Sequence, residues 1–461
     1  MSQVIEELAG VPLDRLREIA TREADRYVQS RSKTQKSLKS GSVSYLDSVP
    51  MHWMKDWPMP FPMLVQKAKA AQITDLDGHK IDDFCLGDTG SMFGHSPKPV
   101  AKAIRKQAKR GLTYMLPTEA ALMAGALLTE RFGDFAWQIA TTATDANRFA
   151  LRVARAVTGR PKVLVFNGCY HGTVDDAMVE LRGGKTATRE GLVGQVADLT
   201  QTAVCAEFND LASVEAALKT GDVAAILTEP VMTNSCMVLP HDGFHVGLRK
   251  LANRYGALLI IDETHTISSG LGGYTRVHGL EPDIFVVGKC VAGGMPTAVW
   301  GLAPKVAKSY LRFCAEKPSG HSGMGTTLSA NPMQFACLTA TLSDVMTGEN
   351  YAHMERGAER LADGLAQVIQ RHNAPWHVVR VGARVEFICA KGPLNNGTEA
   401  AAAHIHEVEA VVHTALLNRG CLIAPFHNMM LVSPVTTNDQ IDRLIAAFDD
   451  VMSDLFAKGK T

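Results

Sequence analysis
Two charged residues stand out because of where they fall. Asp262 ends the apolar run Ala257-Leu258-Leu259-Ile260-Ile261, and Lys289 ends a second, Ile284-Phe285-Val286-Val287-Gly288. Each run has the look of a buried strand that carries a charged side chain to its C-terminal end, which is where open α/β sheets bind their ligands. A carboxylate held at the edge of an apolar strand can pair with a protonated heterocycle. An amine beside low-dielectric walls is a nucleophile and a proton carrier.

Two further segments complete the chemistry. Ala140-Thr141-Thr142-Ala143-Thr144-Asp145-Ala146-Asn147 leads into a helical pattern with Ala150, Leu151, Val153 and Ala154. Small hydroxylated residues at a helix start offer N–H and O–H groups to an anion, although the same residues also make an ordinary N-cap. Gly168-Cys169-Tyr170-His171-Gly172 follows the strand candidate Val163–Phe166. An aromatic in that position can stack on a flat ring. Phosphate, ring, ring nitrogen and aldehyde are the four parts of pyridoxal 5'-phosphate (PLP) that a protein must hold.

The elements that must position these groups read as an α/β fold. From about 140 to 303, short apolar runs alternate with helical stretches. Strands are predicted at Val163–Phe166, Ala224–Leu227, Ala257–Ile261, Ile284–Val287 and Ala298–Leu302. Helices are predicted near 145–157, 211–219 and 242–255. The strands show little alternation, as expected when both faces are covered, and the βα order implies a mostly parallel sheet sandwiched by helices. Residues 350–461 mix helices (352–371, 400–418, 437–456) with strands near 378–390, 421–424 and 429–433, a smaller α+β domain. Upstream, Asp77-Gly78 marks a hairpin turn, Pro97 opens a helix, 12–31 is a polar amphipathic helix, and 32–48 reads as loop. The domain boundaries expected are 1–75 for an N-terminal helix and irregular segment, packed on the small domain and at a dimer interface, 76–335 for the large cofactor-binding domain and 336–461 for the small domain.

Composition narrows the class. The chain has 461 residues, is 46% hydrophobic and 20% charged, and balances 47 Lys+Arg against 47 Asp+Glu. This is a globular composition, and zero net charge argues against a nucleic-acid or membrane-surface partner. Nine cysteines without a C-x-x-C pair suggest thiols in a reducing compartment, not a disulfide frame or a metal site. The start Met1-Ser2-Gln3-Val4-Ile5-Glu6-Glu7 lacks a signal-like apolar core, so a cytoplasmic location is expected.

With these residues in hand, the chain resembles class III PLP-dependent aminotransferases of fold type I, and within them the glutamate-1-semialdehyde aminomutase, β-amino-acid and ω-transaminase branch. The resemblance runs from about 60 to 456. It is carried by Leu259-Ile260-Ile261-Asp262-Glu263-Thr264, Pro282-Asp283-Ile284, Gly288-Lys289 and Gly293-Gly294-Met295-Pro296. Asp75-Leu76-Asp77-Gly78, Gly94-His95-Ser96-Pro97, Glu229-Pro230 and Thr327-Leu328-Ser329-Ala330-Asn331-Pro332 support it.

The resemblance implies that Lys289 forms a Schiff base with PLP and moves the substrate proton, and that Asp262 binds the ring nitrogen. It implies Tyr170 and Thr264 on opposite ring faces, His171 near the cofactor, and Thr142, Ala143 and Thr144 around the phosphate. Glu229 would stand near the Schiff base, and Thr327 would reach the phosphate of a partner subunit in a homodimer with shared sites. The activity implied is transfer of an amino group from an ω- or β-type amine or amino acid to a keto acid such as pyruvate. The alternative is an isomerase, an aminomutase or racemase. Ala143, where the family usually has glycine, predicts a shifted phosphate loop. No carboxylate-binding arginine is evident, and Pro425-Phe426-His427-Asn428 stands where one would be expected. Trp53, Trp57 and His427, with Met59 and Tyr170, are the candidate substrate contacts and suggest an apolar or aromatic amine. Arg380 and Arg384 are of a type that binds carboxylates, but on a small-domain strand they read as surface charges.

Overall fold
A computed structural model describes residues 6–40, 44–317, 323–425 and 427–457. The chain forms two compact units, one made of 97–351 with 394–401 and the other of the N-terminal 96 residues with 352–393 and 402–461.

The first unit is built on a seven-stranded sheet. Its order is Ala203–Ala206, Lys162–Phe166, Val223–Thr228, Leu258–Asp262, Ile284–Val287, Ala298–Leu302 and Ala136–Ala140. The first four pairings are parallel and the last two antiparallel. The switch has a local cause. Between Ile284–Val287 and Ala298–Leu302 there is only the short turn Lys289–Ala292 and the glycine pair after it, too little chain for a parallel crossover. All five predicted strands are present. The two that pattern reading missed are the edge strands Ala136–Ala140 and Ala203–Ala206. The first alternates exposed and half-buried residues up to a buried Ala140, a weaker signal than the wholly buried Val223–Thr228.

Helix Ala143–Thr158 buries Ala146, Phe149, Ala150, Leu151, Val153 and Ala154. It is held at its start by Thr142, whose Oγ1 accepts from the Asp145 N–H at 3.1 Å, and ends at Gly159 in the left-handed region. Helices Leu211–Leu218 and Phe244–Tyr255 fall where the periodicity placed them.

The second unit has a four-stranded sheet, ordered Cys421–Leu422, Lys80–Asp83, Gln72–Asp75 and Val65–Lys69, and a three-stranded sheet of His377–Val381, Arg384–Ile388 and Met429–Leu431. Helices Leu13–Ser30, Gly348–Arg371 (from Ala352 on), His406–Asn418 and Asn438–Phe456 supply the apolar side chains of its core, among them Leu16, Leu361, Leu365, Val412, Leu444 and Phe448. The expected hairpin at Asp77-Gly78 is present, with Gly78 at φ +97°.

Two expectations are corrected here. Ser32–Ser40, read as loop, is a helix. The carboxylate of Asp77, 43 residues from Thr34, accepts from Lys33 N at 2.7 Å, Thr34 N at 3.1 Å and Thr34 Oγ1 at 2.6 Å, so the cap is supplied from the hairpin turn and is invisible in the local sequence. Arg384, read as a surface charge, is fully buried and donates to Thr89 Oγ1 at 2.5 Å, while Arg380 is exposed. The strand Arg384–Ile388 is the middle of three and buried throughout, so no face of it is solvated.

Among the described residues no helix is long and apolar enough to cross a membrane, no disulfide joins the nine cysteines, and no cluster of metal-ligating side chains is present.

Candidate active site
The strand Leu258–Asp262 is apolar up to its last residue, and Asp262 is itself buried. A carboxylate there needs donors, and it has three. Asn147 Nδ2 donates at 2.8 Å and His171 Nδ1 at 3.0 Å to one oxygen, and Thr264 N donates at 3.1 Å to the other. Burial works against the charge, but the His171 bond, with Thr264 and Asn147 behind it, holds the Asp262 carboxyl down to about 2. Burial likewise opposes a charged His171. The Cys169 sulfur and Asp262 outweigh it and hold the imidazole up to about 10. The pair is therefore a buried carboxylate that stays ionised at neutral pH, as a partner for a protonated ring nitrogen must.

Lys289 follows the neighbouring strand. Ile284–Val287 pairs in parallel with Leu258–Asp262, with Val286 opposite Asp262, so the two strands deliver Asp262 and Lys289 to the same end of the sheet. Lys289 has φ +48°, in the left-handed region. A residue with a Cβ pays on the order of 1 kcal/mol there, so the sequence accepts a local cost to have an amine at this point. Its Nζ is hydrogen-bonded to Nε2 of His265. His265 Nδ1 in turn lies 2.6 Å from Thr233 Oγ1, and Thr233 Oγ1 is bonded to the Glu229 carboxylate. Glu229 is buried just past the strand Val223–Thr228. Burial pushes its carboxyl up to about 7, against the pull of His171 and Thr233.

The start of helix Ala143–Thr158 lies against the lysine turn. A Cβ placed on Gly288 would be 2.8 Å from the Ala143 methyl. Ala143 is the first helical residue and is not in the left-handed region, so its Cβ carries no backbone strain there. Thr142 is exposed, and Thr144 Oγ1 accepts from Thr173 N at 3.2 Å. Gly172, at φ +80°, is packed so closely on Thr144 that a Cβ would overlap it. Tyr170 is 44% exposed, which leaves its ring available for stacking. Thr327 is also exposed. Its neighbour Ser329 is bonded to Thr141 Oγ1 at 3.0 Å, at the foot of the same helix.

Trp53, Trp57 and His427 belong to the other unit. Trp53 is 41% exposed. Trp57 packs edge-to-face on His413 with centroids 5.5 Å apart. His427 is buried, with Nδ1 3.9 Å from Glu386, and Phe426 beside it lies outside the described residues.

Three residues here escaped the sequence reading. Asn147 is a fully buried amide among the apolar residues of its helix, a signal that was present but unused. His265 follows Thr264 in a run that stays buried from Leu259 to Gly270, and Thr233 stands four residues after Glu229. A hydroxyl and an imidazole in such surroundings need partners, but only the fold shows that they partner each other.

The fit to PLP can be tested on unpaired groups. Thr264 Oγ1, Asn147 Oδ1 and Glu229 Oε1 are buried and have no hydrogen-bond partner among the described residues. They stand around Asp262 at one end of the sheet, beside a helix N-terminus suited to a phosphate. An exposed aromatic, an ionised acid and an amine complete the set that PLP requires.

Comparison with known proteins agrees. Residues 53–452 match the family model for class-III aminotransferases. A glutamate-1-semialdehyde 2,1-aminomutase of Desulfitobacterium hafniense (strain DSM 10664 / DCB-2) is 32% identical over 403 residues, covering 86% of this chain and 91% of that protein. The crystal structure of a glutamate-1-semialdehyde-aminomutase from Pseudomonas aeruginosa PAO1 is 45% identical, covers 97% of this chain and 100% of its own, and superposes with a TM-score of 0.94. A lysine-to-alanine variant of that protein has been solved in complex with PMP. A β-phenylalanine aminotransferase from Variovorax paradoxus shares the fold, with a TM-score of 0.84 at 24% identity over 95% of this chain and 97% of its own. This chain belongs to the class-III aminotransferase family, a fold type I enzyme whose cofactor is pyridoxal phosphate.

Proposed function
We propose that the protein moves an amino group within one small amino-carbonyl substrate, as an aminomutase of the glutamate-1-semialdehyde type. The observation that carries this reading is the 45% identity, across 97% of the chain, to a protein of that name, joined by curated relatives of the same name at 31–32%. It departs from the sequence-based expectation of transfer to an external keto acid. The transaminases of Variovorax paradoxus and Sphaerobacter thermophilus, each 24% identical, speak for the fold alone.

Bound PLP supplies an aldehyde that captures amines and a ring that takes up the electron pair left when a C–H bond breaks. The chain's own residues do the rest. Lys289 would hold the aldehyde carbon when no substrate is bound, and its Nζ would carry the proton between the substrate carbon and the cofactor carbon that bears the nitrogen. Asp262, kept ionised by His171 and Asn147, holds the proton on the ring nitrogen. Thr142, Ala143 and Thr144 bind the phosphate through the helix N-terminus, joined by Thr327 across a homodimer interface. Tyr170 and Thr264 confine the ring from its two faces, and His171 fixes Asp262. Glu229 is the buried acid of the site. Trp53, Trp57 and His427 are the proposed substrate contacts.

The test is to supply the purified protein with glutamate 1-semialdehyde and no keto acid. Conversion to 5-aminolevulinate is expected. A strict requirement for pyruvate or 2-oxoglutarate as acceptor would instead establish a transaminase.

A further inference from the structure
We propose that His265 and Thr233 form a proton relay between Lys289 and Glu229, through which the lysine loses and regains its proton without solvent. This rests on the reading of Lys289 as the amine that binds PLP.

The argument is one of donors and acceptors. When Glu229 is ionised it only accepts, so the Thr233 hydroxyl must donate to Oε2, and the Thr233 N–H, 3.3 Å away, supports the same oxygen. The Thr233 oxygen then has a lone pair for His265 Nδ1–H, 2.6 Å away. That tautomer leaves Nε2 as an acceptor, and Lys289 donates to it. The alternative arrangement reverses every bond. Glu229 carries the proton and donates to Thr233, Thr233 donates to His265 Nδ1, and Nε2–H donates to the lone pair of an uncharged Lys289. Asn234 Nδ2, 3.4 Å from Nδ1, supports this second arrangement. The two differ by one step of three protons: Nζ to Nε2, Nδ1 to Oγ1, and Oγ1 to Oε2. Lys289 ends as an amine and Glu229 as an acid, and nothing else changes.

Such a relay needs a terminal acid that titrates near neutrality. Burial raises Glu229 to about 7, with Asp262 adding to the rise and His171 opposing it. It also needs shelter from water, and Glu229, Thr233 and His265 are all buried. Nearby Glu263 is not a competing terminus, because its carboxylate is taken up by Thr266 Oγ1 and the N–H groups of Tyr274 and Thr275. The relay is composed of side chains that could have been inert: Thr233 and His265 sit on two separate loops, after Val223–Thr228 and after Leu258–Asp262, and meet only in the fold.

The test measures uptake of PLP by the cofactor-free full-length chain, which requires an unprotonated lysine. The rate of forming a borohydride-reducible link to Lys289 is followed from about pH 6 to 9. Thr233→Val, close in shape but without a hydroxyl, is expected to slow uptake about a hundredfold near pH 7, with recovery toward pH 9 and the same final extent. Thr233→Ser should restore the wild-type profile. His265→Gln can bond Lys289 but cannot pass a proton between two ring nitrogens, and should resemble Thr233→Val. Uptake within about twofold of wild type at every pH in Thr233→Val or His265→Gln would overturn the relay. Absence of any link to Lys289 in the wild type would overturn the reading on which it rests as well.

Discussion

At the scale of single residues, the site depends on charges that burial would ordinarily suppress. Asp262 is ionised because three donors surround it, and His171 is protonated because Asp262 and Cys169 face it. Asp262→Asn is expected to keep PLP bound and to lower kcat by roughly a thousandfold, since the ring nitrogen then lacks its counter-ion. Stopped-flow turnover checks this, and an undiminished kcat would remove Asp262 from its role. The pair also has a signature in stability. A carboxyl lowered from 3.8 to about 2 adds stability above its unfolded value and loses it as pH falls toward 2. An imidazole raised from 6.5 to about 10 adds stability that is complete below 6.5 and lost as pH rises through 10. In urea unfolding, the gap between wild type and Asp262→Asn should be widest near pH 4 to 6.5 and should narrow on either side. Asp262 was legible in the sequence, as Lys289 was, because each is tied to the end of an apolar strand. His265 and Thr233 were not, because their meaning lies in a contact between two loops.

Elements set the precision of the site. The close packing of Gly172 on Thr144 and of Gly288 on Ala143 locks the ring loop and the lysine turn to the start of helix Ala143–Thr158. Gly172→Ala would bring a methyl into Thr144 and place a Cβ in the left-handed region, at φ +80°. The expected result is at least a tenfold weaker affinity for PLP, measured by equilibrium fluorescence, with the far-UV circular dichroism unchanged. An unchanged affinity would show that this contact does not position the phosphate cradle. The strands of the central sheet were readable because burial on both faces leaves an unbroken apolar run. Helix Ser32–Ser40 was not, because a polar stretch without an internal cap reads as loop until Asp77 is folded against it.

On the scale of the whole molecule, the second unit carries charge that hydropathy hides. Arg384 and Glu386 point the same way from a strand buried throughout, with His427 near Glu386. Burial is the main reason that the Glu386 carboxyl is pushed up to about 8, with Arg384 pulling against it. Ionising Glu386 therefore costs stability, and the cost grows as pH rises from its unfolded value of 4.5 to about 8. Glu386→Gln should raise the thermal midpoint at about pH 8.5 and lose that advantage near pH 5. A midpoint lowered equally at both values would mean that the carboxylate is structurally required. The class of fold and its cofactor were within reach of the sequence, since strand-end positions announce themselves. The choice between aminomutase and transaminase was not, since it turns on substrate contacts, and Arg384 was misplaced because an arginine in a short strand gives no hint that the strand is central.

The central claim is that Lys289 is the amine that carries PLP. Purified protein reduced with borohydride and digested should yield one phosphopyridoxyl peptide, modified at Lys289, and Lys289→Ala should yield none and show no turnover. A modification found on another lysine, or turnover retained by Lys289→Ala, would contradict the account.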